Sequence, residues 1–239
     1  MNLLVKNIGT IAGIDESGRT RIEGKEMNDI AMLENAWLLT DGTRIKDYGT
    51  MDSVPSTSGC EVIDAKGGWL FPSFCDSHTH IVYAGSREQE FLDKINGLSY
   101  EEIAKRGGGI LNSADRLHST SEEELYRQAM ERIDEIVSMG TGLVEIKSGY
   151  GLTLEDELKI LRVIRRIKES APLEVRSTFL GAHAVGRAYR GRQKEYVEHV
   201  CNDMIPAVAK EKLADVKRQF AEQATVCHEG YCKREEVAE

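Results

Sequence analysis

The sequence predicts an α/β protein in which a small β-sheet module is followed by a parallel sheet with helical connections. About the first 65 residues are rich in β-branched residues and turn signals. Beyond Pro72, short apolar runs alternate with long amphipathic patterns of helical period. Polar clusters follow three of these runs, at the positions where the carboxyl ends of parallel strands would lie.

The N-terminal module is predicted from short stretches that favour strands. The stretch NLLVKNIGTI, residues 2–11, is rich in branched side chains. Asp41-Gly42 lies between two short apolar runs, and because both residues tolerate positive φ, this pair predicts a β-hairpin. A further short strand precedes Gly67-Gly68 and Pro72, where we expect the module to end.

The remainder of the chain predicts strands that alternate with helices. Ser121 followed by Glu124 is a capping-box pattern at the start of an apolar helical face. The strand TGLVEIK follows that helix, and a second helix is expected between Thr153 and Pro172. The strand LEVRSTFLGAH and a helix over about 194–213 come next. Helices of this length between strands imply right-handed crossovers, and so either a (β/α)₈ barrel or a doubly wound sheet.

Composition and charge exclude several classes of function. The formal net charge of −9 disfavours nucleic acid and anionic membranes as partners, because those need basic surfaces. The N-terminal sequence does not have the pattern of a signal peptide, and no apolar run approaches the length of a membrane span. The five cysteines are irregularly spaced, so we expect reduced thiols in a cytoplasmic protein. A zinc site at Cys227, His228 and Cys232 is disfavoured, because the spacing matches no common structural site.

The first barrel-type strand carries two histidines that could bind a metal. On a strand, residues two apart share a face, so Asp76, His78 and His80 would point the same way. Two imidazoles in this arrangement can reach one divalent ion. Surface histidines are also common, and the spacing alone leaves both interpretations open.

Three further residues are candidates for binding a ligand. Arg87 could hold a carboxylate in a bidentate manner, or it could form a surface ion pair with Glu88 or Glu90. Tyr150 lies between two glycines in a strand-end loop, where it could donate a hydrogen bond. His183 ends another strand, and as an isolated residue it is better explained as a structural histidine than as a ligand-binding one.

Several long motifs occur together in order along the chain. FCDSHTHIVYAGSREQEF, GLSYEEIAKRGGGI, EIKSGYGLTLEDELKILR and TFLGAHAV together resemble the imidazolonepropionase family of the amidohydrolase superfamily. The resemblance extends from about Met1 to Asp215 and implies a TIM-like (β/α) barrel, incomplete in this chain, beside a β-sandwich. It assigns residues 1–68 to the N-terminal part of the sandwich and residues 69–239 to the first portion of the barrel.

The resemblance also implies a reaction and a site. The reaction is the hydrolytic opening of the cyclic amide of 4-imidazolone-5-propanoate to N-formimidoyl-L-glutamate, in histidine degradation. One divalent metal, zinc or iron, is expected to be bound by His78 and His80. The expected substrate contacts are Arg87, Tyr100, Tyr150 and His183. His183 is also the expected catalytic residue, stabilising the developing oxyanion. The family often forms dimers, so a homodimer is a further expectation.

The chain departs from the family pattern towards its end. Members of the family are much longer, and their later metal-binding histidine and last-strand aspartate have no counterpart here. The segment VKRQFAEQ precedes ATVCHEGY, a candidate fifth strand with His228 where an acid is expected. We therefore expect this polypeptide alone to be inactive or barely active and prone to aggregate. The alternatives are a non-catalytic remnant, or another cyclic-amide hydrolase or deaminase, which the KSGYG and FLGAHAV motifs disfavour.

Overall fold

A computed structural model describes residues 2–19, 21–99, 102–103 and 108–215. The chain divides into two compact units, Met1–Pro72 and Ser73–Glu239. The domain limits taken from the sequence, 1–68 and 69–239, stay a prediction. None of the helices in the described ranges is long and apolar enough to cross a membrane.

The first unit is a β-sheet built around its first strand. Its strands are β1 (Asn2–Ala12), β2 (Met32–Asp41), β3 (Arg44–Thr50), β4 (Cys60–Asp64) and β5 (Trp69–Leu70). The order is β3-β2-β1-β4, and β5 also pairs with β1. Short 3₁₀ turns lie at Gly24–Asn28 and Met51–Ser53. A small core of Ile8, Ile11, Ala36 and Leu38 is buried on this sheet.

The predicted hairpin is present between β2 and β3. These strands are antiparallel, and Asp41 pairs with Arg44 across the turn. Gly42 adopts a φ of 60°, a conformation in which glycine has no steric penalty. The prediction of an N-terminal β module is therefore confirmed.

The second unit contains parallel strands connected by helices. In the part that the structure describes, β6 (Phe74–Thr79), β7 (Thr141–Lys147) and β8 (Glu174–Thr178) form a parallel sheet in that order. The helices are α1 (Glu88–Ile95), α2 (Ile110–Ser119), α3 (Glu122–Ser138), α4 (Leu154–Ser170), α5 (Gln193–His199) and α6 (Ile205–Glu211). A π-helical segment, Val200–Met204, joins α5 to α6, so the predicted last helix is present. The candidate strand ATVCHEGY lies outside the described residues.

The two predicted helix starts are confirmed by their capping hydrogen bonds. The Ser121 hydroxyl accepts the N–H of Glu124 at 3.2 Å at the start of α3. The Thr153 hydroxyl accepts the N–H of Asp156 at 3.2 Å at the start of α4. Helices α1 and α2 were not predicted, and their N-caps, Arg87 and Gly109, make no side-chain cap hydrogen bond.

One apolar core holds α3 and α4 against the parallel sheet. It includes buried residues of α3, α4, β7 and β8, among them Ile133, Leu161, Ile164, Val144 and Val175. Burial of such side chains is the main favourable term in the packing of amphipathic helices on a sheet. The apolar periodicity read from the sequence marks the faces that are buried.

We predict that Ile164→Ala destabilises the protein by about 2–5 kcal/mol, because the Ile164 side chain is fully buried in this core and its removal leaves a cavity. The free energy of unfolding, measured with a chemical denaturant, checks this. The matched control is Arg165→Ala at the next, exposed position of α4, which should change that free energy by less than about 0.5 kcal/mol. Equal effects of the two variants would contradict the packing described here.

Candidate active site

Three strand ends bring four of the predicted site residues together. His78 belongs to β6 and His80 follows it directly, Tyr150 follows β7, and His183 follows β8. The His80 ring centroid lies 4.7 Å from that of Tyr150, 5.3 Å from that of His183 and 5.9 Å from that of His78. The Tyr150 and His183 centroids are 5.8 Å apart. Parallel pairing thus assembles a cluster from residues that are far apart in sequence.

His80 is the partly buried centre of this cluster. Its Nδ1 atom is buried and has no hydrogen-bond partner. A buried polar atom without a partner costs about 1–3 kcal/mol, so its presence in a folded protein needs an explanation. An imidazole nitrogen with a lone pair is a common metal ligand. The unpaired atom and the adjacent His78 ring therefore fit the first two ligands of a metal centre.

The environment lowers the pKa of two histidines of the cluster, His80 and His183. Burial, together with charge repulsion from the nearby His183, His78 and Lys147, lowers the pKa of His80 to about 4. Burial also lowers the pKa of His183, with a contribution from His78. Metal ligation needs the neutral form of imidazole, so these directions agree with a ligand role for His80.

Asp76 does not join the histidine rings in a larger cluster. The pairing register of β6 with β7 shifts between Asp76 and Thr79, so spacing alone does not fix a common face here. The Asp76 side chain is exposed, and its Oδ1 accepts the backbone N–H of His78 at 3.1 Å. Among the described residues, no group of three or more His, Cys, Asp or Glu side chains converges as a metal site would require.

Arg87 lies at the start of α1 and pairs with Glu90. Its Nε donates to Glu90 Oε2 at 2.9 Å, and Nη2 of the same guanidinium also contacts that oxygen. The other oxygen of Glu90 accepts the N–H of Gly109 at 2.9 Å. The ion pair expected as one interpretation of Arg87 is therefore present, and a role in binding substrate stays a prediction. Tyr100, the fourth expected substrate contact, lies outside the described residues.

Sequence reasoning missed the buried charges behind the cluster. Lys147 and Glu145 on β7 form an ion pair, and the Thr178 hydroxyl donates to Glu145 Oε1 at 2.6 Å. Glu157 on α4 is fully buried and accepts backbone N–H groups of the loop that carries Tyr150. A signal for Glu157 exists in the sequence, because an acid occupies the apolar stripe four residues before Leu161.

Comparison with known proteins identifies relatives of the chain by sequence. It is 52% identical over 223 residues to the imidazolonepropionase of Christiangramia forsetii, a match that covers 93% of this chain and 54% of that protein. It is 46% identical over 237 residues to the imidazolonepropionase of Flavobacterium johnsoniae, covering 99% of this chain and 56% of that protein. The chain thus spans about half the length of the curated relatives that it matches. No protein-family model matches it.

A comparison of structures supports the fold. The chain resembles E. coli guanine deaminase with a TM-score of 0.50 at 13% sequence identity, over 83% of this chain and 42% of that one. Together with the parallel strands and connecting helices described above, this likeness confirms the predicted fold class, a mixed α/β chain with part of a TIM-like barrel and a β-rich N-terminal part. The sequence matches confirm the predicted resemblance: over 93% and 99% of its own length the chain is similar to these two imidazolonepropionases, of which it spans about half.

Proposed function

We propose that the protein containing this chain hydrolyses the cyclic amide of 4-imidazolone-5-propanoate to N-formimidoyl-L-glutamate, a step of histidine degradation. The observation that carries the proposal is the cluster of His78, His80, Tyr150 and His183 at the carboxyl ends of three parallel strands. In barrel enzymes the reacting groups lie at this edge of the sheet. The names of the relatives supply the substrate class.

His78 and His80 would hold one divalent metal, zinc or iron. Such an ion, when bound, lowers the pKa of a bound water to about 7 and polarises a carbonyl oxygen. Two imidazoles alone bind zinc weakly, since catalytic zinc usually has three protein ligands. Further ligands of the proposed metal would therefore come from outside the described residues.

His183 and Tyr150 would orient the substrate ring and receive its developing charge. His183 is neutral at pH 7, because burial lowers its pKa, so one ring nitrogen can donate a hydrogen bond to an oxyanion. The backbone N–H of His183 donates to the carbonyl of Leu180 at 3.0 Å, which fixes the turn that presents the ring. Tyr150 stacks on His80 with an interplanar angle of 20°, which holds its ring against that imidazole.

Arg87 would bind the propionate carboxylate of the substrate, with Tyr100 as a further contact. Guanidinium groups hold carboxylates through paired N–H donors, a geometry that lysine cannot reproduce. Glu90 already occupies two of the donors of Arg87, so the substrate would compete with that carboxylate. Binding of the substrate would therefore require Arg87 to share its donors between Glu90 and the substrate carboxylate, or to leave Glu90.

The proposal has three less specific parts. Residues 1–68 form the N-terminal part of a β-sandwich and residues 69–239 the first portion of the barrel. The protein acts in the cytoplasm. It acts as a homodimer, which light scattering of the purified full-length protein would test.

We predict that the full-length protein binds one divalent metal per chain and that His78→Ala and His80→Ala each lose most of it. Each variant removes one of the two converging imidazoles. Elemental analysis of purified, dialysed protein measures the bound metal. The matched control is His118→Ala, because the His118 ring is mostly exposed and pairs with Asp156 outside the cluster. Full metal content in both cluster variants would refute the assignment.

We also predict that Arg87→Lys raises the KM for 4-imidazolone-5-propanoate by about 10- to 100-fold with a smaller change in kcat, because it removes a bidentate contact to the carboxylate. Loss of the substrate, followed by ultraviolet absorbance, gives both constants. The control is Arg127→Lys, since Arg127 forms a similar i,i+3 pair with Glu124 on α3.

Hydantoin and dihydroorotate complete the substrate panel of the same experiment. Turnover of either in place of imidazolone propionate would replace the proposed reaction with that of another cyclic-amide hydrolase. A full-length protein that binds metal and turns over none of the three would be a non-catalytic remnant.

A further inference from the structure

The loop that carries Tyr150 is held by one buried carboxylate. Glu157 Oε2 accepts the N–H of Gly149 at 2.9 Å. Glu157 Oε1 accepts the N–H groups of Gly151 at 2.7 Å and of Leu152 at 3.0 Å. These three amides lie beyond the end of β7, so the sheet ladder does not pair them. The Glu157 carboxylate therefore accepts the hydrogen bonds that a neighbouring strand would accept from these amides within a sheet.

The loop conformation needs such an anchor, because it is tight and partly strained. Gly149 has a φ of 110°, and a Cβ atom there would lie 3.0 Å from His183 Cβ and 2.9 Å from the Leu180 carbonyl oxygen. A Cβ atom on Gly151 would lie 2.5 Å from the backbone nitrogen of Glu157. Leu152 adopts a φ of 59°, which is unfavourable for a residue with a side chain. Residues 149–152 are therefore packed closely between α4 and the loop after β8.

The two side-chain oxygens of Glu157 match the N–H donors around them. Both of its oxygens accept N–H groups, whereas a glutamine in its place would turn an NH₂ group towards at least one donor. The first turns of a helix also favour a negative charge, and Glu157 lies in the first turn of α4. Burial raises the pKa of Glu157, and the surrounding donors oppose that shift.

We propose that Glu157 is a positioning residue that acts through the backbone of residues 149–152 to hold the Tyr150 ring against His80. The 4.7 Å stacking of Tyr150 on His80 is the contact that this anchoring would preserve. The consequence for catalysis rests on the proposed function, whereas the consequence for the loop does not.

Hydrogen exchange of the full-length protein tests the anchoring without any substrate. In the wild type, the amides of Gly149, Gly151 and Leu152 should be protected although they lie outside β7. Glu157→Gln should speed their exchange by at least about tenfold, as expected when a charged acceptor is lost. Unprotected amides in the wild type would overturn the proposal, and this measurement decides it even if the variant fails to fold. Unchanged exchange in a folded Glu157→Gln protein would overturn it as well.

Asp156→Asn is the matched control for that experiment. Asp156 is the adjacent acid on α4, is equally buried, and accepts hydrogen bonds from His118 and Lys159 but from none of the three loop amides. It should lower the melting temperature without speeding exchange at residues 149–152. If Asp156→Asn speeds exchange there as much as Glu157→Gln does, the loop responds to general destabilisation and the proposal fails.

A double-mutant cycle tests whether Glu157 acts through Tyr150. Glu157→Gln should lower kcat/KM at least tenfold in the wild type and much less in a Tyr150→Ala background, because the ring that it positions is then absent. An equal loss in both backgrounds would mean a purely structural role and would overturn the proposal. If the wild type does not turn over imidazolone propionate, the proposed function fails, and the exchange experiment still decides the role of Glu157.

Discussion

Parallel pairing of β6, β7 and β8 is the constraint on which the candidate site depends. Val144 of β7 pairs with Asp76 on one side and Val175 on the other, so the three strands run in step and end at one edge. Each strand then contributes a short segment that leaves the sheet there. Because the strands cannot change direction without losing their ladders, the rings of His80, Tyr150 and His183 meet although the chain between them is long.

Hydrogen bonds between buried polar groups fix the conformation of the loops that leave this edge of the sheet. Ser148 accepts the N–H of Leu180 at 2.9 Å, and the Tyr196 hydroxyl donates to the carbonyl of Gly181 at 2.7 Å. These bonds link the loop after β7 to the loop after β8, and the loop after β8 to α5. A buried polar network of this kind is stable only when its members are satisfied, and so it favours one conformation over its alternatives.

The parts of the fold that depend on local sequence were predictable, and those that depend on tertiary contacts were not. Ser121 and Thr153 cap their helices through bonds within three residues, so the sequence reveals them. Helices α1 and α2 begin at Arg87 and Gly109, which carry no such signal. His78, His80, Tyr150 and His183 were predicted as site residues because their residue types suit chemistry at strand ends, and the structure brings their rings together. Glu157 was missed, because its partners become apparent only once the loop after β7 folds back onto α4.

The same packing also lowers the pKa of His80 in the cluster. A solvent-exposed histidine is partly protonated near pH 6.5, and a proton would compete with a metal for its lone pair. Burial of His80, together with repulsion from His183, His78 and Lys147, lowers its pKa to about 4, so a proton does not compete for its lone pair across the physiological range. The buried Nδ1 atom without a hydrogen-bond partner destabilises the folded state. The apolar packing of the surrounding unit must offset this loss of stability. The fold thus keeps the His80 imidazole neutral and its Nδ1 atom without a partner at the strand edge, an arrangement that suits the proposed ligation of a divalent ion.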